Sequence, residues 1–145
     1  MPEDSSLKFS VEAEGKTATK TRVSVRDFEF VIDEPEDLNG ENAGPNPVEY
    51  LLGALSGCVN ATLRQVASER GVEVESLDLS VEGILDPAKF FGESDEPRAG
   101  YQSIEVDLDL ETDSPAEEEE LLKEVKQRCP VSDNISSETP LEFNL

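Results

Sequence analysis

Apolar and polar positions change period several times along this chain, and each change marks an element. Residues 7–11 and 17–25 read as two short strands around Gly15. Residues 28–32 read as a third, with Phe28, Phe30 and Ile32 on one face. A loop is expected at 33–45, where Pro35, Asn39, Gly40, Asn42, Gly44 and Pro45 cluster. Asn46 then opens a long helix. It is a good N-cap, Pro47 suits the first helical position, and Glu49 completes a capping box. Leu51, Leu52, Leu55, Cys58, Val59, Thr62, Leu63 and Val66 follow the spacing of one apolar helix face. Gly71 is placed to end it.

Two strands come next. Leu77, Leu79 and Val81 alternate with Asp78, Ser80 and Glu82; Ile104, Val106, Leu108 and Leu110 alternate with Glu105, Asp107 and Asp109. Each strand hides one face and wets the other. The loop between them, 86–100, carries the adjacent Phe90 and Phe91, an apolar pair in a polar setting that suggests a partner contact or a pocket rim. Ser114 is expected to cap a second helix, with Glu117 closing its capping box. Leu121, Leu122, Val125 and Cys129 share a face of it, and Lys123, Lys126 and Arg128 favour its C-terminal end. Pro130 interrupts, and residues 139–145 read as a last strand. The order βββ-α-ββ-α-β is an α+β fold, antiparallel sheet with two main helices packed on it. Neither repeat nor linker divides residues 1–145, so a single domain is expected.

Charge narrows the function classes. The 145 residues hold 12 Lys and Arg against 34 Asp and Glu, a net charge of −22. That balance disfavours nucleic-acid phosphate and anionic membrane surfaces as partners. There is no histidine, which removes Ser-His-Asp triads, Cys-His dyads and histidine metal sites. Residues 1–10 lack the basic and apolar regions of a signal peptide, and no apolar run approaches a membrane span, so a cytoplasmic protein is expected. The acid is dispersed through every segment and alternates with apolar residues, as a solvated shell does. Such a shell with little lysine suits a halophile's concentrated-salt cytoplasm, where self-repulsion is screened. An EF-hand calcium loop is absent from the sequence, and the strong periodicity argues against disorder.

Chemistry then falls to Cys58 and Cys129, 71 positions apart and so neither a C-x-x-C pair nor a zinc knuckle. Both could be small core residues. Yet each sits on the apolar face of its own helix, and two helices on one sheet can bring those faces together as a redox-capable pair. A cytosolic disulfide is normally transient.

The local sequence around each cysteine adds to this. G-P-N-P-V-E-Y-L-L-G-A-L-S-G-C, residues 44–58, resembles the first-cysteine helix of the OsmC/Ohr family. R-C-P-V-S-D-N-I, residues 128–135, resembles its second-cysteine segment. The resemblance covers essentially the whole chain. It implies an OsmC-like fold in an intertwined homodimer, with two sites at the subunit interface. It implies reduction of organic hydroperoxides: Cys58 attacks the peroxide and becomes a sulfenic acid, Cys129 resolves it to a disulfide, and a dithiol reductant resets the pair. Neither metal, flavin nor haem is implied.

The chemistry needs a cation. The thiolate is the nucleophile and a free cysteine titrates near about 8.5, so a neighbouring guanidinium is the best activator in a chain without histidine. The resemblance points to the N-terminal hairpin, where Arg22 and Arg26 lie four residues apart; either could also be a plain solvated strand residue. The family glutamate that orients this arginine directly follows the proline, where this chain has Val48; its acid is one residue later at Glu49. On an ideal helix Glu49 lies about 180° around from Cys58, and position 48 about 80°. Glu49 therefore reads as a capping partner for Asn46 as well as a candidate site residue. Two other readings stand beside the peroxidase: a redox-responsive or ligand-binding OsmC-like protein with little turnover, and a non-enzymatic acidic interaction protein that uses Phe90 and Phe91.

Overall fold

The computed structural model describes residues 5–145. The chain forms two compact units, one ending at Tyr50 and one covering Leu51–Leu145. No helix among the described residues is long and apolar enough to cross a membrane.

The first unit holds β1 (Glu12–Gly15), β2 (Thr21–Val25) and β3 (Phe28–Ile32), an antiparallel sheet in the order β1-β2-β3. The first strand expected at 7–11 is displaced to Glu12–Gly15. The register limits it: Gly15 pairs with Thr21 and Glu12 with Ser24, which puts Val11 opposite Val25 at the very end of β2, and residues before Val11 run past that strand. Leu7 and Phe9 are accordingly exposed. The second strand likewise starts at Thr21 and not 17, because the β1–β2 turn takes the Lys16 and Thr17 amides to the Lys20 carbonyl.

The loop at 33–45 is organised by a buried carboxylate. Asp33 is 0% exposed. It accepts the Thr19 hydroxyl at 2.7 Å and the backbone N–H groups of Glu34, Glu41 and Ala43 at 2.8, 3.1 and 3.1 Å. These bonds, the Thr19 hydroxyl foremost, outweigh burial and hold its carboxyl down at about 2. Gly40 passes so close to the Glu34 backbone that any Cβ there would collide with it.

Helix α1 (Pro47–Glu69) starts on the expected capping box, with reciprocal 2.8 Å bonds between Asn46 and Glu49. It ends on Gly71 in the left-handed region, φ 70, where the Val72 amide returns to the Ala67 carbonyl at 2.8 Å in a Schellman closure.

The second unit is built on a long hairpin, β4 (Val74–Leu85) and β5 (Tyr101–Thr112). Leu77 faces Leu110, Leu79 faces Leu108 and Val81 faces Val106, so one side of the hairpin is apolar throughout. That side packs on Leu55, Val59 and Leu63 of α1. Helix α2 (Glu118–Arg128) adds Val125 to the same core and Leu121 to a second cluster with Val66, Ala67 and Val72.

Three expectations need correction here. Pro130 does not only interrupt: it starts a third helix, α3 (Pro130–Ser136), because proline fits a first helical turn. Ser114 makes no side-chain cap, and residues 115–117 form a 3-10 turn. The Thr112 hydroxyl takes the capping work, accepting the Ser114 amide at 3.1 Å and donating to Glu118 at 2.9 Å. Residues 139–145 form no strand and are exposed.

Candidate functional site

The second unit brings the two cysteines together. Cys58 faces the hairpin side of α1 and is half-buried, packed against the core formed by Leu55, Val59, Leu63, Val125 and Cys129. Cys129 is 1% exposed. It is the joint between two helices: its N–H donates to Val125 at 3.0 Å to end α2, and its carbonyl accepts Asp133 at 3.0 Å to begin α3. Its backbone is extended, φ −78 and ψ 112, which turns the sulfur inward where α2 and α3 diverge. Both residues are free thiols.

Burial pushes the Cys129 thiol above its ordinary value, and the adjacent Cys58 adds to the rise. The Ser132 backbone N–H and the Thr62 hydroxyl act in the opposite sense. Thr62 stands one helical turn beyond Cys58 on the same face, its Oγ1 4.0 Å from the Cys58 Sγ. The sequence pattern absorbed it as one more position of an apolar stripe; its signal was a hydroxyl inside that stripe, four residues after a cysteine.

An ion-pair clasp holds the helices that carry the thiols. Arg128, next to Cys129, grips Glu69 of α1 with two parallel bonds of 2.8 and 2.7 Å and reaches Glu124 at 3.4 Å. That grip holds the Glu69 carboxyl down at about 2. Arg70 reaches Glu117, Glu120 and Glu124 of the α2 segment.

The remaining candidates lie in the first unit or its loops. Arg22 is on β2 and is engaged by Glu14 at 3.0 Å and Glu29 at 4.0 Å. Arg26 is not on a strand face at all. It occupies the β2–β3 turn with φ 51, a left-handed conformation uncommon for a side-chain-bearing residue, and its guanidinium lies 5.0 Å over the Phe28 ring. It has no ion pair among the described residues. Glu49 is committed to Asn46 as its capping partner. In the second unit Phe90 and Phe91 are exposed and stacked edge to face at 4.9 Å. Among the described residues no group of three or more His, Cys, Asp or Glu side chains is set to hold a metal ion.

Comparison with known proteins agrees with this arrangement. The family model for OsmC-like protein matches residues 40–144, a stretch that includes both cysteines. A protein named as uncharacterised, YmaD of Bacillus subtilis, is 30% identical over 110 residues, covering 75% of this chain and 72% of YmaD. An OsmC-like protein from Mycoplasma pneumoniae has a similar structure, with TM-score 0.77 and 19% identity over 91% of this chain and 89% of that one. An organic hydroperoxide resistance protein OsmC from Legionella pneumophila gives TM-score 0.68 and 20% identity, covering 90% of each chain. The organic hydroperoxide resistance protein OhrB of Bacillus subtilis gives 0.59 and 21%, covering 91% of this chain and 93% of its own. By its sequence and by the fold that holds its two thiols, the chain belongs to the OsmC-like protein family.

Proposed function

We propose that this chain is a thiol-dependent peroxidase for organic hydroperoxides, working as a homodimer and reset by a dithiol. The observation that carries the reading is the pairing of a half-exposed Cys58 with a buried Cys129 across 71 positions of sequence. The more accessible thiolate attacks the peroxide: its sulfur takes the distal oxygen, the O–O bond breaks, and the alcohol leaves. Cys129 then attacks the Cys58 sulfenic acid, and a disulfide and water result. A dithiol reduces that bridge by two exchanges and is itself oxidised to a disulfide. Resolution from inside the core protects the sulfenic acid from further oxidation. The apolar surroundings, with Leu55, Val131 and Ile135 packed near the thiols, favour an alkyl or aryl hydroperoxide over hydrogen peroxide. Among the two hairpin arginines Arg26 is the better activator, since Arg22 is already engaged by Glu14 and Glu29. Names of structurally similar proteins point the same way: those from Legionella pneumophila and Bacillus subtilis are organic hydroperoxide resistance proteins. Dimerisation is supported by exposed apolar residues at both ends of the chain, Leu7, Phe9 and Val11 and then Leu141, Phe143 and Leu145.

The test uses reduced protein in concentrated potassium chloride. One equivalent of cumene hydroperoxide is added, thiols are blocked at short times, and peptide mass spectrometry reads each cysteine. A Cys58–Cys129 disulfide formed far faster than a free thiol oxidises supports the reading. Two thiols that stay free and alkylate normally overturn it.

A further inference from the structure

Cys129 has to meet Cys58, yet little apolar packing holds the turn that carries it. Helix α2 buries Leu121 and Val125, so Val125 is the one fully buried side chain of its last turn, and α3 buries none. The Cys129 peptide is shared by the two helices, and its sulfur therefore goes where the end of α2 goes. The polar link from that end to α1 is Arg128. Its Nη1 and Nη2 donate to the two Glu69 oxygens at 2.8 and 2.7 Å, and Nη1 also reaches Glu124 one turn back at 3.4 Å. Glu69 is itself steadied from its own helix, where Gln65 Nε2 donates to it at 2.9 Å. Glu69 follows Cys58 by 11 positions, which sets it about 20° around α1 and so on the same side. A lone half-exposed ion pair contributes little, but one that is bidentate and tied into a network at both ends is the exception.

We propose that Arg128 and Glu69 are the positioning residues of the resolving thiol: their ion pair fastens the end of α2 to α1 and so keeps the Cys129 sulfur beside Cys58. The proposal rests on the peroxidase reading for its kinetic consequence. Resolution joins the Cys129 thiol to the Cys58 sulfenic acid; an S–S bond forms, the S–O bond breaks, and the thiol proton leaves with the oxygen as water. Neither charged residue touches the reacting atoms. Their part is to shorten the search that the Cys129 sulfur makes before it attacks, which is where orientation enters a rate. Arg70, the next cation along α1, pairs instead with Glu117, Glu120 and Glu124. It braces the two helices without holding the residue next to Cys129, and it supplies the control.

The experiment compares the parent chain with Glu69→Gln, Arg128→Gln, the double variant and Arg70→Gln. Each reduced protein receives one equivalent of cumene hydroperoxide, and a 1,3-diketone trap with peptide mass spectrometry follows the life of the Cys58 sulfenic acid. Glu69→Gln and Arg128→Gln should each lengthen it about tenfold, with the rate of sulfenic acid formation unchanged. The double variant should be no slower than either single, because both remove one interaction. Arg70→Gln should resolve at the parent rate. Parent-rate resolution in both single variants overturns the proposal. So does multiplied slowing in the double variant, or equal slowing in Arg70→Gln, which marks a general loosening of the helices. A second arm needs no peroxide: the thiol–disulfide equilibrium of the Cys58–Cys129 pair is measured against reduced and oxidised glutathione. By linkage, an ion pair that favours the meeting of the sulfurs also favours their bridge. Glu69→Gln should therefore shift that equilibrium toward the dithiol about tenfold and Arg70→Gln should not; an unmoved Glu69→Gln equilibrium overturns the proposal. A parent chain that forms no sulfenic acid overturns the peroxidase reading alone, and the glutathione equilibrium then decides whether Arg128 and Glu69 position the thiol.

Discussion

The outer face of the β4–β5 hairpin is a ladder of carboxylates whose register fixes what one added cation should do. Asp78 is paired with Asp109 and Glu82 with Glu105, and between those rungs Ser80 faces Asp107. Replacing Ser80 by lysine puts a positive charge at the centre of five negative ones. A directly opposite partner lies about 5 Å away and diagonal ones about 7.5 Å; neighbours two along the same strand lie about 7 Å away. In water, with a Debye length of about 10 Å at 0.1 M salt, the five attractions together amount to about 1.6 kcal/mol. At 1 M salt the Debye length is about 3 Å and the total falls to about 0.4 kcal/mol. Ser80→Gln, of similar reach and no charge, is the reference. Urea unfolding followed by circular dichroism, in 0.1 and 1 M potassium chloride, gives both differences. The lysine variant should be the more stable at low salt, and most of its advantage should vanish at high salt. A gap between Lys and Gln that is the same at both salts, or of the opposite sign, would refute the register argument and the view of this face as a salt-screened shell.

Other outcomes follow from single sites. Leu63 is 0% exposed among Leu55, Val59, Val125 and Cys129, so Leu63→Ala should cost about 2–5 kcal/mol in urea unfolding at fixed salt; a loss well under that range would show that the pocket closes over the missing atoms. Asn46→Ala removes one half of the α1 capping box and should cost about 1 kcal/mol, whereas Glu49→Gln should leave peroxide consumption unchanged if Glu49 acts only at the cap. Asp33 and Glu69 are both held at about 2, below ordinary values of 3.8 and 4.5. Each therefore contributes stability that is complete above its ordinary value and drains away as pH falls toward 2. In Asp33→Asn the fall in urea midpoint on acidification should be shallower than in the parent, and an equal slope would exclude the Asp33 cradle as a source of acid sensitivity.

Elements whose signals are local were legible in the sequence. Asn46, Pro47 and Glu49 announce the start of α1, and Gly71 announces its end, because caps are satisfied within a few residues. The β4 and β5 alternation is equally plain, since the hairpin buries one side throughout. Features that depend on a distant partner were not legible. Strand propensity at residues 7–11 and 139–145 finds no partner strand among the described residues. Pro130 looks like a stop until Cys129 is seen turning the chain, after which it is a start. Asp33 gives no pattern at all, for its four hydrogen-bond donors come from a side chain 14 residues upstream and from backbone amides up to 10 residues downstream. The meeting of the two cysteine faces could be anticipated; the Thr62 hydroxyl beside Cys58 showed only as a polar residue inside an apolar stripe, and the Arg128–Glu69 grip could not be seen, because its partners lie 59 positions apart.

The position of the two thiols also makes redox state a matter of chain entropy. A bridge from Cys58 to Cys129 would close 71 positions of chain, including the whole β4–β5 hairpin and α2. Restricting the unfolded ensemble across a loop of that size stabilises the folded chain by about 4 kcal/mol in the loop-closure account. The reduced form, which meets the peroxide, would then be the thermally softer of the two, and a melting curve would read the redox state of the pair directly. By linkage the same free energy makes the bridge harder to reduce when the chain is folded than when it is unfolded.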